Sequence, residues 1–213
     1  MQNKKILIIG ATGGTGKELV KQGLQAGREV SVLARKPEKV KTSDAEIKIF
    51  KGDVLDPDSL NNAISGQDVV LCALGHKKWF RPTEILSEGT KNIIEAMEKN
   101  NVQRFICETS LGVGDSFGKM GLYYTLFTIP VILQFYYWDK YKQEKFIKSS
   151  SIDWTIVRPG ALYNGKAKGK WKEGNKIGNY LWTVGISRAD VADFMLKQIN
   201  ETKYIKKTVG ISW

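Results

Sequence analysis

The stretch Gly10-Ala11-Thr12-Gly13-Gly14-Thr15-Gly16 constrains the fold more than any other part of the chain. It follows Ile6-Leu7-Ile8-Ile9, an unbroken apolar run with the length and branching of a strand buried on both faces. Leu19, Val20, Gly23 and Leu24 then share one helical face, and Gly27 is placed to stop that helix. In a strand–turn–helix unit of this kind, one glycine permits the tight turn. A second lets the backbone approach a diphosphate, and a third lets the helix pack closely on the sheet. Free N–H groups at the positive end of the helix hold the phosphates. The spacing therefore predicts a dinucleotide site built from Gly10, Thr12, Gly13, Gly14, Thr15 and Gly16, with both threonines adding hydroxyl donors.

The same alternation continues along the chain. Val30 to Ala34, Glu46 to Phe50, Asp68 to Ala73, Arg104 to Glu108, Asp153 to Val157 and Lys207 to Ile211 read as strands. Asp56-Pro57-Asp58 opens one helix with an N-cap and a first-turn proline; Leu86, Thr90, Ile93 and Met97 line another. Ser187 and Asp190 form a capping pair for a last helix carrying Val191, Phe194 and Met195. No repeat or linker-like stretch divides the 213 residues. The expectation is an α/β fold, a single Rossmann domain over 1–213: a doubly wound parallel sheet with a small substrate or lid region near 112–139 and 160–186.

Ligands in open α/β sheets lie beyond the carboxyl ends of the strands. There the second strand ends in Ala34-Arg35-Lys36, where an NAD-selective site usually carries an acidic residue for the ribose 2′-hydroxyl. Two cations suit a 2′-phosphate instead, so NADP(H) is expected in preference to NAD(H). Gly52-Asp53-Val54 follows the third strand, where Asp53 is placed to accept from an adenine amino group. Ala73-Leu74-Gly75 follows the fourth and offers backbone to the cofactor; His76 beyond it is either a pocket or a surface residue.

Three features restrict location and partners. Cys72 and Cys107 fall inside buried strands and read as reduced core residues, which points to the cytoplasm. The N-terminus lacks an apolar run long enough for a targeting signal. One histidine and no CxxC pair give no metal site. The net charge of +11 is spread without a compact basic run, so nucleic acid is not an expected partner. Its densest part, Lys166 to Lys176 among glycines, reads as a solvated loop.

Met120 to Trp138 is the anomaly: nineteen uncharged residues in a row, close to the length of a membrane span. Gly121, Thr125, Thr128, Pro130 and Gln134 argue against a span, and strands of one sheet flank it on both sides. An apolar lid over the substrate pocket is the leading reading. Peripheral membrane contact through 120–138 and an oligomer interface are the alternatives. The oligomeric state is left open.

At the end of that segment Tyr136 and Lys140 stand four residues apart at the start of a helix, which puts them on one face. A lysine so placed favours the phenolate and hence proton transfer to a carbonyl. The spacing also arises easily in an aromatic-rich stretch.

Taken together, the glycine turn, Val32-Leu33-Ala34-Arg35, Gly52-Asp53-Val54, Ala73-Leu74-Gly75, Val157-Arg158-Pro159-Gly160 and Ser187-Arg188-Ala189-Asp190-Val191 resemble the atypical short-chain dehydrogenase/reductases. The likeness is strongest to the branch of biliverdin-IXβ reductase (NADPH flavin reductase) and the NmrA-like proteins. It implies that Gly10, Thr12, Gly13 and Thr15 hold the pyrophosphate, Arg35 the 2′-phosphate and Asp53 the adenine. Leu74 and Gly75 would border the ribose and nicotinamide. Ser110, at the end of the fifth strand, would sit beside nicotinamide and substrate, and Pro159 would carry the following loop past the nicotinamide.

The function this implies is an NADPH-dependent reductase. It would pass hydride to a planar conjugated small-molecule acceptor: a flavin, quinone or tetrapyrrole-like compound. Trp79, Phe80, Phe117 and the aromatic lid would supply flat apolar contact. Two alternatives stand beside it. One is a carbonyl reductase or nucleotide-sugar-type enzyme using Tyr136 and Lys140. The other is an NADP(H)-sensing or assembly protein that binds without turnover.

Overall fold

Along Ile6–Ile9 (β1) successive side chains point to opposite faces, and both faces are buried. Ile6 and Ile8 join one apolar cluster; Leu7 and Ile9 join a second. The parallel strands Val30–Ala34 (β2), Val69–Cys72 (β4), Arg104–Glu108 (β5) and Asp153–Pro159 (β6) pair with their neighbours in the same pattern. A sheet buried on both faces needs helices on both. A computed structural model describing residues 4–40, 47–76 and 78–213 supplies them. Helices α1 (Gly14–Gln25) and α5 (Arg188–Lys197) cover one face. Helices α2 (Pro57–Ile64), α3 (Ile85–Lys99) and α4 (Gln134–Ser149) cover the other.

With β3 (Lys48–Lys51), β7 (Ala161–Tyr163), β8 (Lys172–Gly174), β9 (Gly185–Ser187) and β10 (Lys207–Ser212), the sheet runs β3-β2-β1-β4-β5-β6-β10-β8. Neighbours are parallel throughout except at β8, which runs antiparallel to β10. β7 and β9 form a separate parallel pair. The chain winds one way through β2 and β3, then returns to the other side of β1 through β4. The reversal therefore falls between β1 and β4.

Local signals set the helix ends. Asp56 accepts from the Asp58 amide at 3.1 Å, with Pro57 in the first turn. Ser187 accepts from the Asp190 amide at 3.0 Å and donates to its carboxylate at 2.8 Å. Helix α3 is capped from a distance: buried Asp139 on α4 accepts from the amides of Leu86 (3.0 Å) and Ser87 (2.9 Å).

Three expectations need correction. The third strand starts at Lys48, and Glu46 lies outside the described residues. The lysine-rich stretch is more than a solvated loop, because Lys172–Gly174 pairs with Gly210 to Ser212 and closes the sheet edge. Charged side chains there guard an edge that would otherwise recruit another strand. The apolar segment is not one helix. A π-helix, Tyr124–Ile132, holds Pro130 inside it and buries only Ile129, and α4 starts after it. Among the described residues no helix is long and apolar enough to cross a membrane.

Candidate active site

The β1–β4 reversal opens a crevice at the carboxyl ends of the strands. Gly10 ends β1 at φ +88°, and a Cβ there would collide with the carbonyl of Ala73 across the crevice. A Cβ on Gly16 would strike the Gly10 carbonyl, so only hydrogen lets α1 pack this close to the strand. Gly13 caps α1 with extended backbone and no side-chain hydrogen bond covers the helix end. The first-turn amides, which have no partner within the helix, are thus left to the crevice.

That crevice is a cavity of about 650 Å³. Gly10 through Thr15 line its middle, and Ala34, Arg35, Gly52, Asp53 and Val54 one arm. Ala73, Leu74, Gly75, His76, Ile85, Tyr136, Lys140 and Leu162 line the rest. In the first arm Arg35 Nη1 stands 3.9 Å from Asp53 Oδ2, both partly open to solvent. Asp53 is held by its own turn, accepting from the Leu55 amide at 3.1 Å. An uncapped helix start and a glycine cradle fit a dinucleotide, with a cation beyond β2 at one end.

In the other arm, Lys140 is buried with its Nζ 5.2 Å from the Tyr136 ring centre. The ammonium donates to the carbonyl of Glu108 at 3.3 Å. Burial pulls its pKa down, but Tyr136, Cys107, Glu108 and Cys72 around it outweigh burial and leave it raised. The ammonium is therefore charged at neutral pH. The His76 ring stands edge-on to Tyr136 at 5.0 Å between centres. Its Nδ1 accepts from the Lys78 amide (3.1 Å), so the neutral ring carries its proton on Nε2, 2.9 Å from Thr83 Oγ1. Burial holds this imidazole below its ordinary pKa. His76 is thus a neutral wall of the pocket, which decides between the two readings its position allowed.

Not every predicted residue reaches the wall. Ser110 pairs with Tyr137 Oη at 3.0 Å and donates to the Leu111 carbonyl at 3.1 Å, because the chain turns away after Thr109. Burial pushes the Tyr137 phenol up to about 12, so this pair stays neutral. Pro159 is buried in β6, and Arg158 beside it bonds Glu144 and Asp115. Lys36 is exposed off the cavity, and Gly16 packs behind it. Thr12 is exposed on the cavity wall, but Thr15 spends its hydroxyl on Glu108 Oε1 at 3.0 Å. Trp79, Phe80 and Phe117 are exposed and do not line the cavity.

Glu108 and Arg188 are among the wall residues that escaped the sequence reading. Glu108, the last residue of β5, is buried at the turn, and burial raises its carboxyl pKa. Arg188, the first residue of α5, lies against Gly14 where a Cβ would meet its side chain. It donates to Asn164 Oδ1 at 2.9 Å and the Leu162 carbonyl at 3.3 Å. No local signal marked it, because a cation at a helix start runs against the helix dipole and only the fold brings Arg188 opposite the glycine turn.

A doubly wound sheet whose switch point carries a glycine turn and an uncapped helix defines a nucleotide-binding Rossmann protein. The chain belongs to the NAD(P)H-binding family whose profile matches residues 10–202. It is 34% identical over 177 residues to an uncharacterised chloroplastic protein of Arabidopsis thaliana, covering 77% of this chain and 61% of that one. Its fold is that of the anaerobillin reductase ChuY from Escherichia coli O157:H7, with TM-score 0.81 and 23% identity over 98% of this chain and 96% of that one. It is also that of a wide-type short-chain dehydrogenase/reductase from Veillonella parvula solved with NADP, with TM-score 0.79 and 18% identity over 99% and 94% of the two chains.

Proposed function

We propose that the chain is an NADPH-dependent reductase that reduces a planar conjugated acceptor. The observation that carries this reading is a single cavity joining Arg35, beyond β2, to a pocket walled by Leu74, Ile85, His76, Tyr136 and Leu162. The bound cofactor would supply the hydride. The protein's own part is to bind and orient. The first-turn amides of α1 and Arg188 would hold the diphosphate, and Arg35 would hold the 2′-phosphate. Apolar side chains exclude water from the far arm, and a flat acceptor suits walls of rings and branched aliphatics. ChuY, whose fold this chain shares, is an anaerobillin reductase, and that likeness supports reading the chain as a reductase. The test is NADPH oxidation against flavins, quinones and biliverdin; no turnover with any of them would overturn this reading.

A second reading has its own observation. Tyr136 and Lys140 both line the cavity on one face of α4, with the ammonium against the ring. There the phenol would protonate a carbonyl oxygen and Lys140 would stabilise the phenolate left behind. Tyr136→Phe separates the readings. Loss of about 100-fold or more in kcat with KM unchanged supports a Tyr136 proton donor. Full turnover retained supports the conjugated acceptor, whose proton comes from solvent.

A further inference from the structure

The π-helix and the loop before β9 form one surface. Met120 bridges Asn179, the Leu122 amide donates to the Leu181 carbonyl at 3.3 Å, and Gly121 packs on the backbone of Trp182. Side by side, these segments expose Tyr123, Leu126, Phe127, Val131, Leu181 and Trp182, with Phe127 62% and Trp182 74% open to solvent. The Tyr123 and Phe127 rings stack at 6.3 Å between centres, which extends the flat apolar area. None of these side chains lines the cavity, so the cofactor site does not account for them. Soluble chains rarely leave so much contiguous apolar surface open without a use.

The charge along these two stretches of the chain is one-sided. From Phe117 to Trp138 there is no acidic residue. From Gly160 to Trp182 there are five lysines and one acid, Glu173. That acid is already engaged by Lys203 at 2.7 Å and Tyr204 at 2.9 Å. Lys168 lies over the Trp213 ring at 3.3 Å between ammonium and ring centre, and the other four lysines are exposed, on a chain of net charge +11. Two copies meeting through this face would bring their lysines together. An anionic surface would neutralise them while its interior takes up the rings. Tyrosine and tryptophan suit that boundary, each having an apolar body and a polar edge.

We propose that the face formed by 117–132 and 180–182 docks on an anionic lipid bilayer, rings inserted at headgroup depth and lysines over the headgroups. Binding there leaves the fold intact and the cavity unchanged, so it does not depend on the redox reading.

The experiment is co-sedimentation of the purified full chain with vesicles of phosphatidylcholine alone and of phosphatidylcholine mixed with phosphatidylglycerol. Sedimentation with the anionic vesicles only, weakened by salt, is the expected result. Each lysine of the 166–176 stretch changed to glutamine is expected to lower partitioning about fivefold. The double variant Phe127→Ser with Trp182→Ser is expected to lower it at least about tenfold. Both side chains are exposed, so its circular dichroism and thermal midpoint should match the parent. Three results would each overturn the proposal. One is no binding to anionic vesicles at low salt. Another is undiminished binding by the double variant, which would place the contact elsewhere. The third is a parent that is dimeric by light scattering and made monomeric by the double variant, since a second copy would then cover the face.

Discussion

Arg35 and Arg188 reach one cavity from different elements, and truncating each separates two parts of nucleotide binding. If Arg35 holds the 2′-phosphate, a charge-assisted hydrogen bond of roughly 1.5–3 kcal/mol is lost in Arg35→Ala. NADPH affinity should fall about 10- to 150-fold while NADH affinity barely moves. Arg188→Ala removes a cation at Gly14, where either nucleotide would place its diphosphate, so both affinities should fall alike, by about tenfold. Equilibrium titration of both variants checks this, and a nucleotide-selective loss at Arg188 would contradict it. Glu108 gives a pH prediction. Burial raises its carboxyl pKa in the folded chain, so its ionisation opposes the fold as pH climbs from the ordinary glutamate range through the raised value. Glu108→Gln keeps an acceptor for Thr15 without the charge. Without nucleotide its thermal midpoint should exceed the parent's at neutral pH, and the gain should vanish below the ordinary glutamate range. A gain independent of pH would rule out that origin.

Among the elements, helix α4 joins the two halves of the site. Its Asp139 caps α3, Lys140 and Tyr136 line the cavity, and Glu144 pairs with Arg158 of β6. Asp139→Ala strips the α3 amides of a buried acceptor and should cost about 2 kcal/mol in urea unfolding. An unchanged midpoint would mean that α3 keeps its start without this cap. The sequence made some of this architecture readable and hid the rest for physical reasons. β1, α1 and the capped starts of α2 and α5 carry periodicity and cap residues within a few positions, so they were legible. The Asp139 cap and the Glu144–Arg158 pair join residues far apart in the chain, with no local pattern to mark them. The π-helix was hidden because nearly every residue from 120 to 133 is apolar, which leaves no period to read. β8 was hidden because an edge strand of three residues, rich in charge, resembles a loop.

For the whole molecule, the parallel sheet explains why the arm at the glycine turn and β2–β3 was easier to read than the far arm. The strand ends at the crevice carry their own short motifs: the glycine turn, Ala34-Arg35, Gly52-Asp53-Val54 and Ala73-Leu74-Gly75. All four reach the cavity wall. The far arm is assembled from side chains of α3, α4 and β7, whose contributions depend on helix rotation. A one-residue difference in direction decides the outcome there, as at the end of β5. Thr109 lines the cavity, whereas Ser110 next to it turns to Tyr137.

Isothermal titration of the purified chain with NADPH and, separately, with NADH tests the central claim most directly. One equivalent of NADPH should bind, at least about tenfold more tightly than NADH, because Arg35 stands where a phosphorylated ribose would lie. Equal affinity for the two would remove Arg35 from that role, and binding of neither would contradict the reading of the crevice between β1 and β4 as a dinucleotide site.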